Sequence, residues 1–125
     1  YERNKRYVLL GAGLCLTPGD PAAIAQKMED CRTRRARTQP IGLPSAGSVF
    51  RHPPGAFAGK LIEDCGLKGT RIGGAEVSTL HAGFIVNTGG ATAADVEALI
   101  AHIRDTVLRR TGYRLECEVR TLTYR

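Results

Sequence analysis

Thr92-Ala-Ala-Asp-Val-Glu-Ala-Leu-Ile-Ala-His-Ile-Arg-Asp-Thr-Val-Leu-Arg-Arg-Thr-Gly112 is the stretch that decides the fold. Thr92 followed by Asp95 has the form of a capping box, and Gly112 stands where a helix can close in a left-handed residue. Between them Val96, Leu99, Ile100, Ile103, Val107 and Leu108 trace one continuous apolar face, which must lie on something. The neighbouring segments supply it. Residues 72–77, with Gly73-Gly74 inside, and residues 84–87 are rich in strand formers, and residues 115–122 alternate apolar with polar side chains as a half-buried strand does. The expected fold class is α+β: a single domain with a small mixed or antiparallel sheet packed against about three helices.

Farther out, Phe57, Leu61, Ile62 and Cys65 recur at helical spacing and predict a short helix over residues 56–65, with Gly66 as its left-handed end. Pro40, Pro44, Pro53 and Pro54, with Gly42 and Gly47, make residues 39–54 mostly loop, with at most a short strand near Val49 and Phe50. Asp20 is a natural N-cap with Pro21 at the first helical position. Ile24, Met28 and Cys31 follow at i, i+4 and i+7, giving an amphipathic helix to about Arg35. Residues 7–16 form an apolar run ended by Pro18-Gly19 and read as a strand.

Composition narrows the function classes. The 125 residues suffice for one core, so chemistry that needs two large lobes must borrow one. Hydrophobic and charged shares of 42% and 24% describe a folded soluble domain. The longest apolar run is broken by Gly11 and Gly13 and falls short of the ~20 residues of a membrane span. The chain opens on Tyr1 with no signal-peptide architecture, so it is expected to be a piece of a longer, cytoplasmic protein. The net charge of +6 is concentrated in part at Arg32, Arg34, Arg35 and Arg37. Without a helix-turn-helix, a zinc finger or interleaved aromatics, that cluster suits either a small anion such as a diphosphate or, equally for most of these arginines, a solvated basic helix end favoured by the macrodipole, rather than nucleic acid. Cys15, Cys31, Cys65 and Cys117 include no C-x-x-C pair and no nearby histidine, so no metal is expected. They read as small buried thiols in a reducing compartment.

Single motifs say little. Gly11-Ala-Gly13 is not a dinucleotide fingerprint, because Leu16 holds the third glycine position and Pro18 follows where a helix should begin. Ser48, in Pro44-Ser-Ala-Gly-Ser-Val-Phe-Arg-His-Pro-Pro54, lacks the flanking glycines of a nucleophile elbow. By spacing alone it is a hydroxyl serving loop backbone. Gly89-Gly90, ahead of a helix, either cradle a phosphate or simply turn the chain. Of the histidines, only His52 and His81 lie in segments that could form a site. Glu118 points to the face opposite Cys117 and Val119, and a carboxylate there would need a partner if that face were core.

Taken together, Gln39-Pro40, Pro44-Ser-Ala-Gly-Ser-Val-Phe50, Ala58-Gly-Lys-Leu-Ile-Glu-Asp64, Arg71-Ile-Gly-Gly-Ala-Glu-Val-Ser78, His81-Ala-Gly-Phe-Ile-Val-Asn87, Gly90-Ala-Thr92 and residues 115–120 resemble, in order, the C-terminal domain of the UDP-N-acetylenolpyruvoylglucosamine reductases. The resemblance implies that residues 1–125 are the substrate-binding domain of a flavoenzyme whose N-terminal FAD-binding domain lies outside this chain. It implies FAD reduced by NADPH, hydride passed to the terminal carbon of the enolpyruvyl group of UDP-N-acetylglucosamine-enolpyruvate, and a proton added to the neighbouring carbon to give UDP-N-acetylmuramate for peptidoglycan synthesis. By position Ser48 would donate that proton and Glu118 would assist. Arg35, Arg37, Gln39 and His52 would bind substrate, and Gly73, Ala75 and Arg120 would face the flavin. Thr38 stands where part of the family has a diphosphate lysine, which is why Arg35 or Arg37 would serve. His52 stands where some members have asparagine. The family's carboxylate-polarising arginine aligns ahead of Tyr1. The chain alone is expected to be inactive. A nucleotide-sugar binding module without turnover is the alternative.

Overall fold

Along the chain come helix α1 (Pro21–Thr38), strand β1 (Ser45–Ser48), helix α2 (Ala58–Asp64), strands β2 (Arg71–Ile72), β3 (Ala75–Val77) and β4 (Phe84–Asn87), and helix α3 (Ala93–Thr111). They are taken from a computed structural model that describes residue 8 and residues 10–122. The chain falls into two units, residues 1–31 and 32–125.

Helix α3 forms as its residues dictate. Thr92 Oγ1 accepts the Asp95 N–H at 3.1 Å while Asp95 Oδ2 accepts the Thr92 N–H at 2.9 Å, a complete capping box. At the other end Gly112 (φ 76°) donates its N–H to the Leu108 carbonyl. Leu99, Ile103 and Val107 are fully buried on the face turned to the sheet. The sheet has the order β1-β4-β3-β2 with every pair antiparallel, so the fold class is α+β as expected. Ala75 and Val77 of β3 and Ile85 of β4 join Phe50, Ile62 and Leu115 in one core. Glu76 and Val86, neighbours in register, lie on the other face, where the Arg71 guanidinium pairs with the Glu76 carboxylate across the β2–β3 hairpin. A buried carboxylate needs such a cation.

Residues 72–77 are not one strand. Gly73, at φ 54°, takes a backbone shape that glycine alone adopts without strain, and with Gly74 it turns β2 back into β3. Gly74 has a second reason to be glycine. A Cβ there would lie 2.3 Å from the Gly89 carbonyl oxygen and 2.4 Å from the Ala91 nitrogen, so hairpin and α3 approach main chain to main chain.

Helix α2 covers residues 58–64, and Gly66 (φ 68°) follows it in the left-handed shape. Arg110 Nη1 bonds the Cys65 carbonyl at 3.0 Å and ties α3 to the end of α2. The loop of residues 39–54 holds a strand at Ser45–Ser48 rather than at Val49 and Phe50, because β4 offers its free edge there and a bulge at Gly47 (φ 88°) absorbs the irregular register. The final strand expected over residues 115–122 shrinks to a single bridge between Phe50 and Cys117. Its partner segment is only Val49–Arg51 long in hydrogen bonds, closed off by Pro53-Pro54.

In the first unit Asp20 caps α1 as expected, accepting the Ala23 N–H at 3.1 Å and the Ala22 N–H at 3.4 Å. The helix runs on to Thr38, beyond the expected end at Arg35. Its stripe of Ile24, Met28 and Cys31 is exposed, so it buries no core. The strand expected over residues 7–16 is absent from the described residues 8 and 10–16, where no other segment pairs with them, while residues 7 and 9 lie outside those described. Cys15 and Cys31 are therefore exposed, and of the four thiols only Cys65 is buried and Cys117 half-buried.

Two outcomes follow from the contact between the hairpin and α3. Gly74→Ala must push the two backbone segments apart and should lower unfolding free energy by about 2–3 kcal/mol, read as a Tm fall of roughly 10 °C. The Asp95 carboxyl is held below the usual carboxylate range, chiefly by the Thr92 N–H and also by the Gly74 N–H. A depressed folded pKa gives stability that is present above the unfolded value and lost as pH falls through the folded one. The stability difference between wild type and Asp95→Asn, measured by urea denaturation, should be full at pH 6 and shrink below about pH 4.

Candidate functional site

The bulged end of β1 delivers Ser48 to a crowded junction. Val49 donates its N–H to the Gly83 carbonyl at 2.9 Å, and Val49 in turn accepts the Glu118 N–H at 2.8 Å. Two segments far apart in sequence are thereby clamped to either side of one residue. The Ser48 hydroxyl is half-buried, and its bond to the Phe50 carbonyl, at 3.5 Å, is long and weak. Gly83 lies close by: a Cβ on Gly83 would stand 3.6 Å from Ser48 Oγ, at ordinary contact distance. Glu118 is exposed, while Cys117 and Val119 pack against the core on the opposite side. The alternation read from the sequence thus holds at this segment, and the face that carries Glu118 is open rather than core.

The remaining expected site residues are distributed unevenly. At the end of α1, Arg35 Nε donates to Gln39 Oε1 at 2.9 Å, so these two form a pair of their own, and Arg37 is exposed beside them. His52 has a structural duty. Helix α2 has no side-chain cap at Phe57, and His52 Nδ1 accepts the Ala58 N–H at 3.3 Å, with its ring edge-on to Phe57 at 5.3 Å. Nδ1 as acceptor places the proton of the neutral ring on Nε2. Arg120 is exposed. Gly73 sits against the Asp95 carboxylate, which a Cβ would reach at 2.4 Å. Ala75 is fully buried in the core and offers no surface. Of the three residues expected to face the cofactor, Ala75 is interior, while Gly73 and Arg120 are exposed. The Gly89-Gly90 turn is not a phosphate cradle, since Asn87 Oδ1 already accepts the Gly89 and Ala91 N–H groups and Asp95 the Thr92 N–H.

Sequence reasoning left His81 without a role. Its Nδ1 accepts the Gly83 N–H at 3.1 Å, and its ring meets Phe84 edge-on at 5.0 Å. The signal was the His-x-Gly spacing, which lets a ring nitrogen reach back to the second N–H on, as Asn and Asp do in turns. His81 and His52 share a pocket of about 270 Å³ with Gly59, Lys60, Glu63 and Ala82. Its two charges are already matched. Lys60 holds its proton more tightly than a free ammonium because it bonds Asp64 at 2.7 Å, and Glu63 stays ionised below the usual range because Lys68 bonds it at 2.8 Å.

Comparison with known proteins places these features in a family. The model of the UDP-N-acetylenolpyruvoylglucosamine reductase C-terminal domain matches residues 39–122. A UDP-N-acetylenolpyruvoylglucosamine reductase of Exiguobacterium sibiricum is 52% identical over 119 residues, covering 95% of this chain and 39% of the relative. One of Nitrosospira multiformis is 55% identical over 112 residues, covering 90% and 32%. The crystal structure of the reductase from Thermus caldophilus aligns with a TM-score of 0.59 and 39% identity, over 78% of this chain and 34% of that one. The chain thus spans well under half the length of the relatives it matches.

Removing the imidazole of His52 leaves the Ala58 N–H without an acceptor. His52→Ala should cost about 1 kcal/mol of stability in chemical denaturation, whatever its further effect on a ligand.

Proposed function

Because the chain belongs to the UDP-N-acetylenolpyruvoylglucosamine reductase family, we propose that it binds the enolpyruvyl nucleotide sugar UDP-N-acetylglucosamine-enolpyruvate and supplies the proton when that group is reduced to the lactyl ether of UDP-N-acetylmuramate, a peptidoglycan precursor. The observation that carries this reading is the junction at Val49. It holds the Ser48 hydroxyl close to Gly83 and brings the Glu118 segment onto the same residue.

The chemistry suits the residues. A serine hydroxyl is a weak acid, yet a carbanion or enol beside a carboxylate is basic enough to take its proton when the two are held in contact. Ser48 gives its proton to the carbon next to the substrate carboxylate, and Glu118, on the open side of the junction, helps restore it. Arg35, Arg37, Gln39 and the Nε2–H of His52 are donors suited to a diphosphate. FAD, with NADPH as reductant, is the cofactor pair that membership of the family implies, and it would supply hydride. With Ala75 interior, this chain's own share is chiefly the substrate and the proton, and the 125 residues alone are inactive. The setting proposed is the cytoplasm, with the remainder of the reductase as partner.

Ser48→Ala, made in the complete reductase, tests the assignment. Loss of kcat by about 10²- to 10⁴-fold with nucleotide-sugar binding retained is the expected result. An unchanged rate removes Ser48 from the mechanism. Binding without any turnover in the wild-type protein favours a non-catalytic nucleotide-sugar module instead.

A further inference from the structure

The turn between β3 and β4 is built around His81. Ser78 Oγ accepts the Leu80 and His81 N–H groups at 3.2 and 3.3 Å, the His81 carbonyl accepts the Phe84 N–H, and His81 Nδ1 accepts the Gly83 N–H. The ring takes the side-chain space of two glycines: its Cε1 would lie 3.1 Å from a Cβ on Gly59 and 3.0 Å from one on Gly83. Gly83 is the residue whose carbonyl holds Val49, and a Cβ on it would lie 3.6 Å from Ser48 Oγ. One residue therefore has the imidazole on its N–H and the strand end of β1 on its carbonyl.

We infer that His81 is a positioning residue for Ser48, acting through the Gly83 backbone, and that it does so only while Nδ1 is unprotonated. The inference rests on the proton-donor reading of Ser48. A neutral imidazole accepts at Nδ1 and keeps its proton on Nε2, whereas an imidazolium donates at both nitrogens and would meet the Gly83 N–H donor to donor. Protonation then releases the Gly83 backbone, and with it the anchor of Val49 that sets the Ser48 hydroxyl. A displacement of about 1 Å is enough to slow a proton transfer by up to roughly a hundredfold. Substrate binding through the Arg35 and Gln39 end of α1 does not depend on this turn, so the loss falls on kcat rather than KM.

The groups facing His81 are His52 across the pocket and Lys60 and Glu63 on α2. Lys60 and Glu63 keep their charges through neutral and mildly acid pH, each being bonded to an opposite charge. His52 is the other imidazole on this pocket. Asparagine separates the two, because its Oδ1 accepts a hydrogen bond at the place of Nδ1 and has no proton to gain.

The experiment is the pH dependence of kcat for the complete reductase over about pH 5 to 8, in wild type, His81→Ala, His81→Asn and His52→Asn, with thermal unfolding as the check on folding. Expected are a kcat fall of roughly ten- to a hundredfold in His81→Ala with KM little changed, recovery of most of that loss in His81→Asn, and an acid limb present in wild type and His52→Asn but absent from His81→Asn. If His81→Ala proves unfolded, the His81→Asn profile decides. An acid limb that persists in His81→Asn, or that disappears with His52→Asn instead, overturns the inference. A complete wild-type protein that reduces no enolpyruvyl nucleotide sugar overturns the parent reading, and the inference with it.

Discussion

The approach of Gly74 to the Gly89 carbonyl and the Ala91 nitrogen is the constraint on which the second unit depends. Around that contact the polar groups bond to one another. Thr88 donates its N–H and hydroxyl to the Gly74 carbonyl, Asn87 Oδ1 takes two N–H groups of the glycine turn, and Asp95 closes the start of α3 while also reaching Gly74. Hairpin, turn and helix start are thus one polar knot with a dry core beneath it. Because α3 is pinned at its first turn, the rise of about 1.5 Å per residue carries Leu99, Ile103 and Val107 along the sheet in fixed register. β4 is held from the same knot at Asn87, and β1 has only β4 to pair with. The position of Ser48 is in that sense a distant consequence of a glycine at residue 74.

What could be read from the sequence follows the range of the interactions. Helix α3 was legible to the residue at its caps, because a capping box and a closing glycine are local chemistry. α2 and Gly66 were legible for the same reason. The Gly73-Gly74 pair was visible but ambiguous, since two glycines inside a strand-forming run can mark either a weak strand or a reversal, and only the contact with Ala91 decides between them. β1 and residues 115–122 depend on who pairs with whom. Nothing in Ser45–Ser48 favours a strand by composition, while the well-patterned segment 115–122 keeps one bridge because its partner ends at a proline pair. The apolar run before Pro18 shows the same rule from the other side: strand-forming residues without a paired edge leave their backbone groups to water.

For the site, family likeness and geometry contribute different things. Ser48 and Glu118 were named by likeness alone, since neither has a spacing that announces a reaction. Geometry then separates residues that likeness treats alike. Ala75 and Gly73 have structural reasons to be what they are, one for core volume and one for the Asp95 contact. His52 has a cap to make on α2 and still has Nε2–H to offer a ligand. His81 shows the reverse case, a residue inside a shared block whose duty becomes visible only when the acceptor of each turn N–H is accounted for.

An acid as weak as the Ser48 hydroxyl gains little from a shifted environment and much from placement, so its surroundings should be rigid while its own proton stays available. The main chain around Ser48 meets the first requirement, with Val49 tied through its N–H to Gly83 and through its carbonyl to Glu118, and with Gly47 fixing the bulge before it. The 3.5 Å bond from Ser48 Oγ to the Phe50 carbonyl meets the second: it aligns the hydroxyl without engaging it strongly. A serine meant to serve loop backbone would show the opposite arrangement, a short bond holding a loop that is otherwise loose. Here the loop is secured by its peptides and the hydroxyl is only weakly engaged, which is the arrangement that the role proposed for Ser48 requires.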